Sequence, residues 1–246
     1  MRLDLATWKE VEHYLEHNKG IILPTGSTEQ HGPVGLIGTD RICAQAIADA
    51  AGEQAGAYVC TALGYTPAPF NMSFPGTLSL NPETFAQVIA ELLEGLAHHG
   101  FEKIYILNGH GANLEPIRSV LPTIQGAEVL LKSWWDFKEV NAIRSELYGD
   151  WEGMHATPSE VAITQALHRV VEDPSLEEPK KLSPEFIREH AGDKHGPPDE
   201  HRADFPDGRV GSHSSLARPE HGKRLLDAAS KAVAEDFNAF VTASCV

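Results

Sequence analysis

The chain has 246 residues, and its formal charge at pH 7 is −15 because 35 acidic residues outnumber 20 basic ones. This balance disfavours nucleic acid and anionic membranes as partners and favours a small molecule or a cation. The three cysteines, Cys43, Cys60 and Cys245, form no CxxC pair, and no apolar run approaches the roughly 18 residues of a membrane span. We therefore expect a cytoplasmic protein with reduced thiols and no targeting segment.

Strand-like and helical segments alternate along the first 130 residues. Thr7 is a candidate N-cap for a helix over residues 8–18. Short apolar runs predict four strands, at residues 20–24, 57–62, 103–107 and 128–131. Apolar residues at helical spacing predict three helices between them, at residues 41–56, 82–100 and 114–124. Such alternation indicates an α/β fold, with a mostly parallel sheet covered by helices on both faces.

The second half of the chain is less regular. A helix is expected to begin with residues 158–160 in its first turn, and an amphipathic helix is expected over residues 219–237. Residues 173–210 are rich in Pro, Glu, Lys and His, so they predict a long lid or interface excursion within a single domain of residues 1–246. Three histidines in or just after this segment follow no ligand spacing and are expected at the surface or behind a site: His195, His201 and His213.

The loops after the predicted strands carry the residues of chemical interest. Ligands of open parallel sheets bind beyond the carboxyl ends of the strands, so these loops share one edge. They hold Glu29, His31 and Asp40 after the first strand and His110 after the third. Carboxylate and imidazole donors suit Zn²⁺, Mn²⁺ or Fe²⁺. The sequence therefore predicts a metal site at this edge.

Each of these residues also has a purely structural interpretation. Acidic and histidine side chains in glycine-rich loops are often only solvated, and His110 can be an ordinary turn residue. Glu160 can serve as a favourable charge at a helix N-terminus, and His155 can pack where that helix begins. The argument for a site rests on the shared edge of the sheet rather than on any single residue.

Three motifs together resemble the creatininase family, that is, creatinine amidohydrolase and its relatives. They are TEQHGP followed by GTD, NGHGAN, and a histidine with a glutamate five residues later. The SFPGTLSL and WDF segments also look familial, and the resemblance covers about residues 5–240. It implies a three-layer α/β/α sandwich with a mostly parallel central sheet, often assembled as a homohexamer.

The resemblance implies a metal-dependent amidohydrolase that acts on a small cyclic or N-acyl amide through a metal-activated water. It further implies two divalent ions per chain, with Asp40 bridging them and four motif positions as ligands: Glu29, His31, Asp40 and His110. Creatininases proper carry a further glutamate ligand two residues after the NGH histidine, where this chain has Ala112. We expect Glu160 to serve as the fifth ligand instead.

The same resemblance implies catalytic roles for His155 and Glu160, with His155 passing a proton to the leaving nitrogen. Four residues are candidates for substrate binding: Trp135, Trp151, Ser79 and Asn113. Two alternatives remain open. One is hydrolysis of a C–C bond in a cyclic ketone; the other is metal-dependent binding of a small molecule without catalysis, which would use a phosphate-cradling loop.

Overall fold

The computed structural model describes residues 1–192 and 194–243, so Cys245 lies outside the described part. Its sheet has four strands in the order β2-β1-β3-β4, and every neighbouring pair is parallel. The strands are β1 (Gly20–Thr25), β2 (Tyr58–Val59), β3 (Lys103–Asn108) and β4 (Glu128–Ser133). The prediction of a parallel α/β sheet is confirmed.

The described residues form nine α-helices. They are α1 (Trp8–Leu15), α2 (Thr39–Ala55), α3 (Pro82–His98), α4 (Leu114–Val120), α5 (Lys138–Tyr148), α6 (Pro158–Leu167), α7 (Pro184–Glu189), α8 (Pro198–Asp204) and α9 (Pro219–Thr242). Within residues 1–192 and 194–243, no helix has both the length and the apolar character that a membrane span requires.

The boundaries of several elements follow from local chemistry. Thr7 caps α1 as predicted. Its hydroxyl accepts a hydrogen bond from the backbone N–H of Glu10, and the Glu10 carboxylate accepts one from the backbone N–H of Thr7. Helix α2 ends at Gly56, whose φ of 65° is left-handed and therefore suits glycine. Helix α4 stops at Val120, short of the predicted residue 124, and Pro122 in the following 3-10 turn has no N–H to continue the α-helix.

Two predictions about elements were wrong. The strand predicted at residues 57–62 is shorter in the structure. Only two of its residues, which form β2, pair with β1. Helix α5 was not predicted at all. Only Val140 and Tyr148 in it are buried, so its apolar stripe is too thin to be recognised in the sequence.

Alternate residues of the strands face two separate cores, which makes the fold a three-layer sandwich. Ile22, Tyr105 and Leu107 pack with residues of α2, α5, α6 and α9 on one face. Ile21 and Ile104 pack with residues of α1, α3 and α4 on the other. Burial of each such aliphatic side chain contributes about 1.5–3 kcal/mol, so both faces hold their helices firmly.

The excursion of residues 173–210 packs against the loop that follows β2. It contains α7 and α8, and Ser73 donates a hydrogen bond to Asp199 of α8 over 2.5 Å. Arg202 of α8 also donates to the Ser73 carbonyl. Its histidines are less exposed than expected for a polar surface segment, because His201 is only 3% exposed and lies against the ring of Phe70.

The carboxyl ends of three strands lie side by side. Thr25, Asn108 and Ser133, the last residues of β1, β3 and β4, are paired in register. The Thr25 hydroxyl donates to Asn108 Oδ1 over 3.0 Å, and Asn108 Nδ2 donates to Ser133 Oγ over 3.3 Å. This row fixes the points from which the loops of the candidate site depart.

Candidate metal centre

The loop after β1 and the first turn of α2 supply three acidic or imidazole side chains. Glu29 and His31 lie in the loop, and Asp40 lies in the first turn of α2, where the helix dipole favours a carboxylate. His31 Nε2 is 2.9 Å from Asp40 Oδ1. Ser27 donates to Asp40 Oδ2 over 2.8 Å, which holds the carboxylate in one orientation.

His110 reaches the same carboxylates from the end of β3. Its Nδ1 lies 3.0 Å from Asp40 Oδ2 and 3.2 Å from Glu29 Oε1, while Nε2 lies 2.7 Å from the Pro67 carbonyl and donates to it. Gly109 makes this approach possible, because a Cβ at that position would lie 2.8 Å from the Asp40 carbonyl oxygen. The small residue thus brings the loop against the backbone of α2.

The start of α6 supplies His155 and Glu160. Glu160 Oε1 accepts from the Thr157 N–H over 2.6 Å and lies 3.7 Å from His31 Nε2. Its capping role is therefore real, and its carboxylate still faces the cluster. Ala156 lies between the histidine and the cap with a φ of 57°, a left-handed conformation that costs about 1–2 kcal/mol for an L-residue.

His155 has one ring nitrogen committed and one available. Its Nε2 lies 2.7 Å from the Gln30 carbonyl oxygen, so this nitrogen carries the proton and donates. Its Nδ1 lies 3.6 Å from Glu29 Oε1. Asn71 orients the carboxylate from the other side, because its Nδ2 donates to Glu29 Oε2 over 2.8 Å. His155 thus presents an acceptor nitrogen beside the carboxylates.

Three overlapping groups of these side chains could hold a metal ion. In each group the ligand atoms lie within 4.8 Å of one another: Glu29, His31 and His155; Glu29, Asp40 and His110; His31, Asp40 and Glu160. Asp40 belongs to two groups and offers a different oxygen to each histidine. The five predicted ligands therefore lie together, although they come from three separate parts of the chain.

The donor set fits a divalent cation. Glu29 is 0% exposed, and the groups that face its Oε1 are the Nδ1 atoms of His110 at 3.2 Å and of His155 at 3.6 Å. A buried carboxylate oxygen in that state is costly unless a positive charge compensates it. Oxygen and imidazole nitrogen donors are those that zinc, manganese and iron accept. The residues present thus suit the ions that the sequence motifs implied.

The electrostatics of the cluster are strongly coupled. Burial opposes protonation of His31, but Asp40 outweighs it and raises the pKa of His31 to about 10. Glu29 and Asp40 likewise overcome burial and raise the pKa of His110 well above its usual value. Burial raises the pKa of Glu160 to about 8 and lowers the pKa of His155 to about 4. At pH 7, His155 is therefore neutral.

A cavity of about 170 Å³ opens beside the cluster. Its lining includes Asp40, His110, His155 and Glu160 and, of the predicted substrate-binding residues, Trp135. Gly192 of the excursion also reaches this cavity. The site thus combines ligand atoms with a small cavity at the carboxyl ends of the strands.

The other predicted substrate-binding residues lie outside the lining of this cavity. Trp151 packs edge-on against His213, with Lys181 over its ring. Ser79 accepts from the Ala68 N–H and donates to the carbonyl of the next residue. Asn113 is buried and donates to the Gly26 carbonyl. In this structure the three side chains hold loops together around the site.

Sequence reasoning missed several residues that shape the site. Arg144, Trp134 and Met154 line the cavity, and Gln30 bonds to both Asn71 and the Gly208 carbonyl. Arg144 escaped notice because α5 was not recognised. Recognising a helix that begins just after the Trp-Trp-Asp segment would have placed Arg144 near the site.

The profile of the creatininase family, described as creatinine amidohydrolase, matches residues 4–237. The chain belongs to the creatininase family. Among curated proteins, the creatininase-family enzyme creatinine amidohydrolase of Pseudomonas putida is 30% identical over 194 residues, or 68% of this chain and 75% of that protein. The chain is thus a creatininase-family amidohydrolase.

Two further relatives of this chain match over shorter spans. The 3-dehydro-scyllo-inosose hydrolase of Thermotoga maritima is 32% identical over 106 residues, covering 43% of this chain and 34% of that protein. The mycofactocin precursor peptide peptidase of Mycolicibacterium smegmatis is 31% identical over 111 residues, covering 43% and 44%. Relatives of this family therefore carry more than one hydrolase name.

Solved creatininases share the fold over nearly the whole chain. A manganese form has a TM-score of 0.75 and 25% identity, covering 98% of this chain and 99% of that one. A zinc–zinc form of a variant has a TM-score of 0.75 and 26% identity, covering 98% of both chains. Another variant, complexed with creatine, has a TM-score of 0.74 and 25% identity, covering 98% and 99%. These relatives bind metal and a small molecule.

Proposed function

We propose that this creatininase-family protein hydrolyses a small cyclic or N-acyl amide with the help of two divalent ions. One ion would be held by Glu29, Asp40 and His110, and the other by His31, Asp40 and Glu160. The observation that carries the proposal is the position of Asp40, whose Oδ1 lies 2.9 Å from His31 and whose Oδ2 lies 3.0 Å from His110. A carboxylate that faces two imidazoles in this way suits a bridging role.

Divalent ions bound there would polarise a carbonyl oxygen and lower the pKa of a coordinated water. The chain's own contribution centres on His155. Burial keeps it neutral, and its Nε2–H bond to the Gln30 carbonyl leaves Nδ1 as an acceptor beside Glu29. Nδ1 takes a proton from water as the carbonyl carbon is attacked, and returns it to the amide nitrogen as the C–N bond breaks.

The cavity wall positions the rest of the amide. Trp135 offers an aromatic face on which a flat group can stack. Glu160 keeps one carboxylate oxygen bonded to the start of α6, so it has a fixed orientation before any ligand arrives. A family role in amide hydrolysis is consistent with the names of the Pseudomonas amidohydrolase and the peptidase.

A second candidate reaction is hydrolysis of a C–C bond in a cyclic ketone. The Thermotoga relative, named as an inosose hydrolase, favours it. The same carboxylates and imidazoles would serve, because a ketone carbonyl is polarised in the same manner as an amide carbonyl. A screen of cyclic ketones beside cyclic amides separates the two, since only one class should be turned over. Homohexamer formation, cytoplasmic location and a lid role for the excursion stay predictions.

Elemental analysis of the purified protein tests the proposed function. We expect about two ions per chain in the wild type and about one in Glu160→Gln, with slower amide turnover, because the variant removes a charged ligand from one group. Glu146→Gln is the matched control, since Glu146 lies exposed on α5, away from the cluster, where it pairs with Arg224 of α9. Two ions in Glu160→Gln would contradict its assignment as a ligand, and no metal in the wild type would overturn the proposal.

Metal binding to the stripped protein is expected to release protons at pH 7. His31, with a pKa of about 10, and His110, with a pKa well above its usual value, are protonated before an ion arrives and must lose a proton to bind it. Because protons compete with the ion, the apparent affinity should rise as pH rises from 6 to 9. Calorimetric titration in Hepes and in Tris gives the proton count, and His31→Gln should lower it. An enthalpy independent of the buffer would contradict this prediction.

A further inference from the structure

The cavity has a second group of polar side chains that the metal ligands do not use. Arg144 of α5 and Trp134, just after β4, both line it, and we call these two residues the donor wall. Among the lining residues that the structure describes, Arg144 is the one lysine or arginine. The cavity therefore offers carboxylates and imidazoles from the metal centre and N–H donors from the donor wall.

The guanidinium of Arg144 is held in place from three sides. Its Nε donates to Glu152 over 2.8 Å, its Nη1 donates to Asn141 over 2.8 Å, and its carbon lies 5.7 Å from the centre of the Trp134 ring. Glu152 is itself held by a hydrogen bond from Ser159 at the start of α6. Nη2 donates to no group in the described part of the chain, so one edge of a fixed guanidinium is available to a ligand.

Trp134 contributes its ring to the donor wall, with the Arg144 guanidinium over it. The side chain is 1% exposed, and its indole Nε1–H has no acceptor within residues 1–192 and 194–243. Buried donors are normally paired, because an N–H removed from water without an acceptor is costly. This N–H has no surface open to the cavity, so Nη2 of Arg144 is the unsatisfied donor that a carboxylate in the cavity meets, with the indole ring beside it.

The local charge also permits an anion. Two divalent ions would exceed the three buried carboxylates of the centre by one positive charge, and the Arg144–Glu152 pair is neutral in sum. One guanidinium that already has a carboxylate partner can meet a single further negative charge, which favours a carboxylate over a phosphate. The cavity of about 170 Å³ is close to the roughly 150 Å³ of an engineered cavity that holds benzene, so it has room for one small ring or its open-chain equivalent.

We propose that the donor wall is a carboxylate subsite, and that the substrates of this hydrolase are small amides carrying a carboxylate. The carboxylate lies against Arg144 and Trp134 while the scissile amide faces the metal centre. This inference rests on the proposed function, which it narrows from small amides in general to amide acids. The donor wall thereby selects the substrate and orients it.

A matched pair of probes tests the subsite: N-formylglycine, which has a carboxylate, and N-formylglycinamide, which has an amide in its place. We expect the metal-loaded wild type to bind the acid at least about tenfold more tightly by calorimetry, since a fixed arginine gives a charge-assisted hydrogen bond. If the probes are turned over, the ratio of their kcat/KM values takes the place of the ratio of Kd values.

Variants separate the donor wall from direct binding of the acid to metal. In Arg144→Gln combined with Glu152→Gln, which leaves no unpaired buried carboxylate, the preference should fall to near one. Trp134→Phe keeps a ring beside Arg144 and loses only the buried N–H, so it should retain most of the preference. Arg224→Gln, which removes an exposed ion-paired arginine, should retain it. The inference is overturned if the double variant keeps the preference for the acid, or if the wild type shows no such preference. Absence of bound metal in the same samples would contradict the proposed function instead.

Discussion

Asp40→Asn is expected to lose nearly all bound metal and to abolish hydrolysis. Asp40 is shared by two of the candidate ligand groups, so its loss removes an oxygen ligand from both. We expect the metal content to fall from about two ions per chain to nearly none, and turnover to fall at least about 10³-fold, because metal-assisted hydrolysis depends on both ions. Elemental analysis and an amide hydrolysis assay measure the two effects.

The comparison with His110→Ala sharpens this result. His110 belongs to one group, so its loss should strip at least one ion and abolish turnover, while the group of His31, Asp40 and Glu160 remains. Asp49→Asn is the matched control, because Asp49 lies on the same helix and bonds to Gln45 outside the cluster. Full activity in His110→Ala would contradict the assignment of the centre. If His110→Ala retains about one ion and Asp40→Asn retains as much, Asp40 is excluded as the shared ligand.

His155→Gln is expected to retain metal while hydrolysis slows by about 10²–10⁴-fold, the usual contribution of a general acid–base group. The glutamine amide can still donate to the Gln30 carbonyl, but it has no basic nitrogen at the position of Nδ1. The loss should fall on kcat rather than on KM, because His155 acts on the proton rather than on substrate affinity. Metal content and steady-state kinetics on the same sample provide the test.

The geometry also allows His155 to be a metal ligand rather than an acid–base group. Glu29, His31 and His155 form the third candidate ligand group, so loss of an ion in His155→Gln would make this residue a ligand instead of a proton carrier. His13→Gln, at an exposed position on α1, controls for the substitution itself. The two roles are therefore separated by elemental analysis alone.

Much of the α/β fold was predictable from the sequence because parallel strands and their helices have strong local patterns. The runs at β1 and β3 are buried on both faces, so they are continuously apolar and easily recognised. Helix α5 was missed for the opposite reason, since its contacts with the core are few and its sequence is mostly polar. The sequence left open whether His201 lies at the surface or behind the site, because its burial depends on Phe70, more than a hundred residues away.

The motifs by themselves determined the family, the edge of the sheet at which chemistry would occur, and the five residues that lie together there. These features are local, because glycine-rich turns after strands and a capped helix start are written in short segments. Only the tertiary structure decided that Asp40 faces both His31 and His110, that His155 presents Nδ1, and that Trp134 and Arg144 complete the cavity. Those relations join segments far apart in the chain, and their geometry is set by packing rather than by the order of residues.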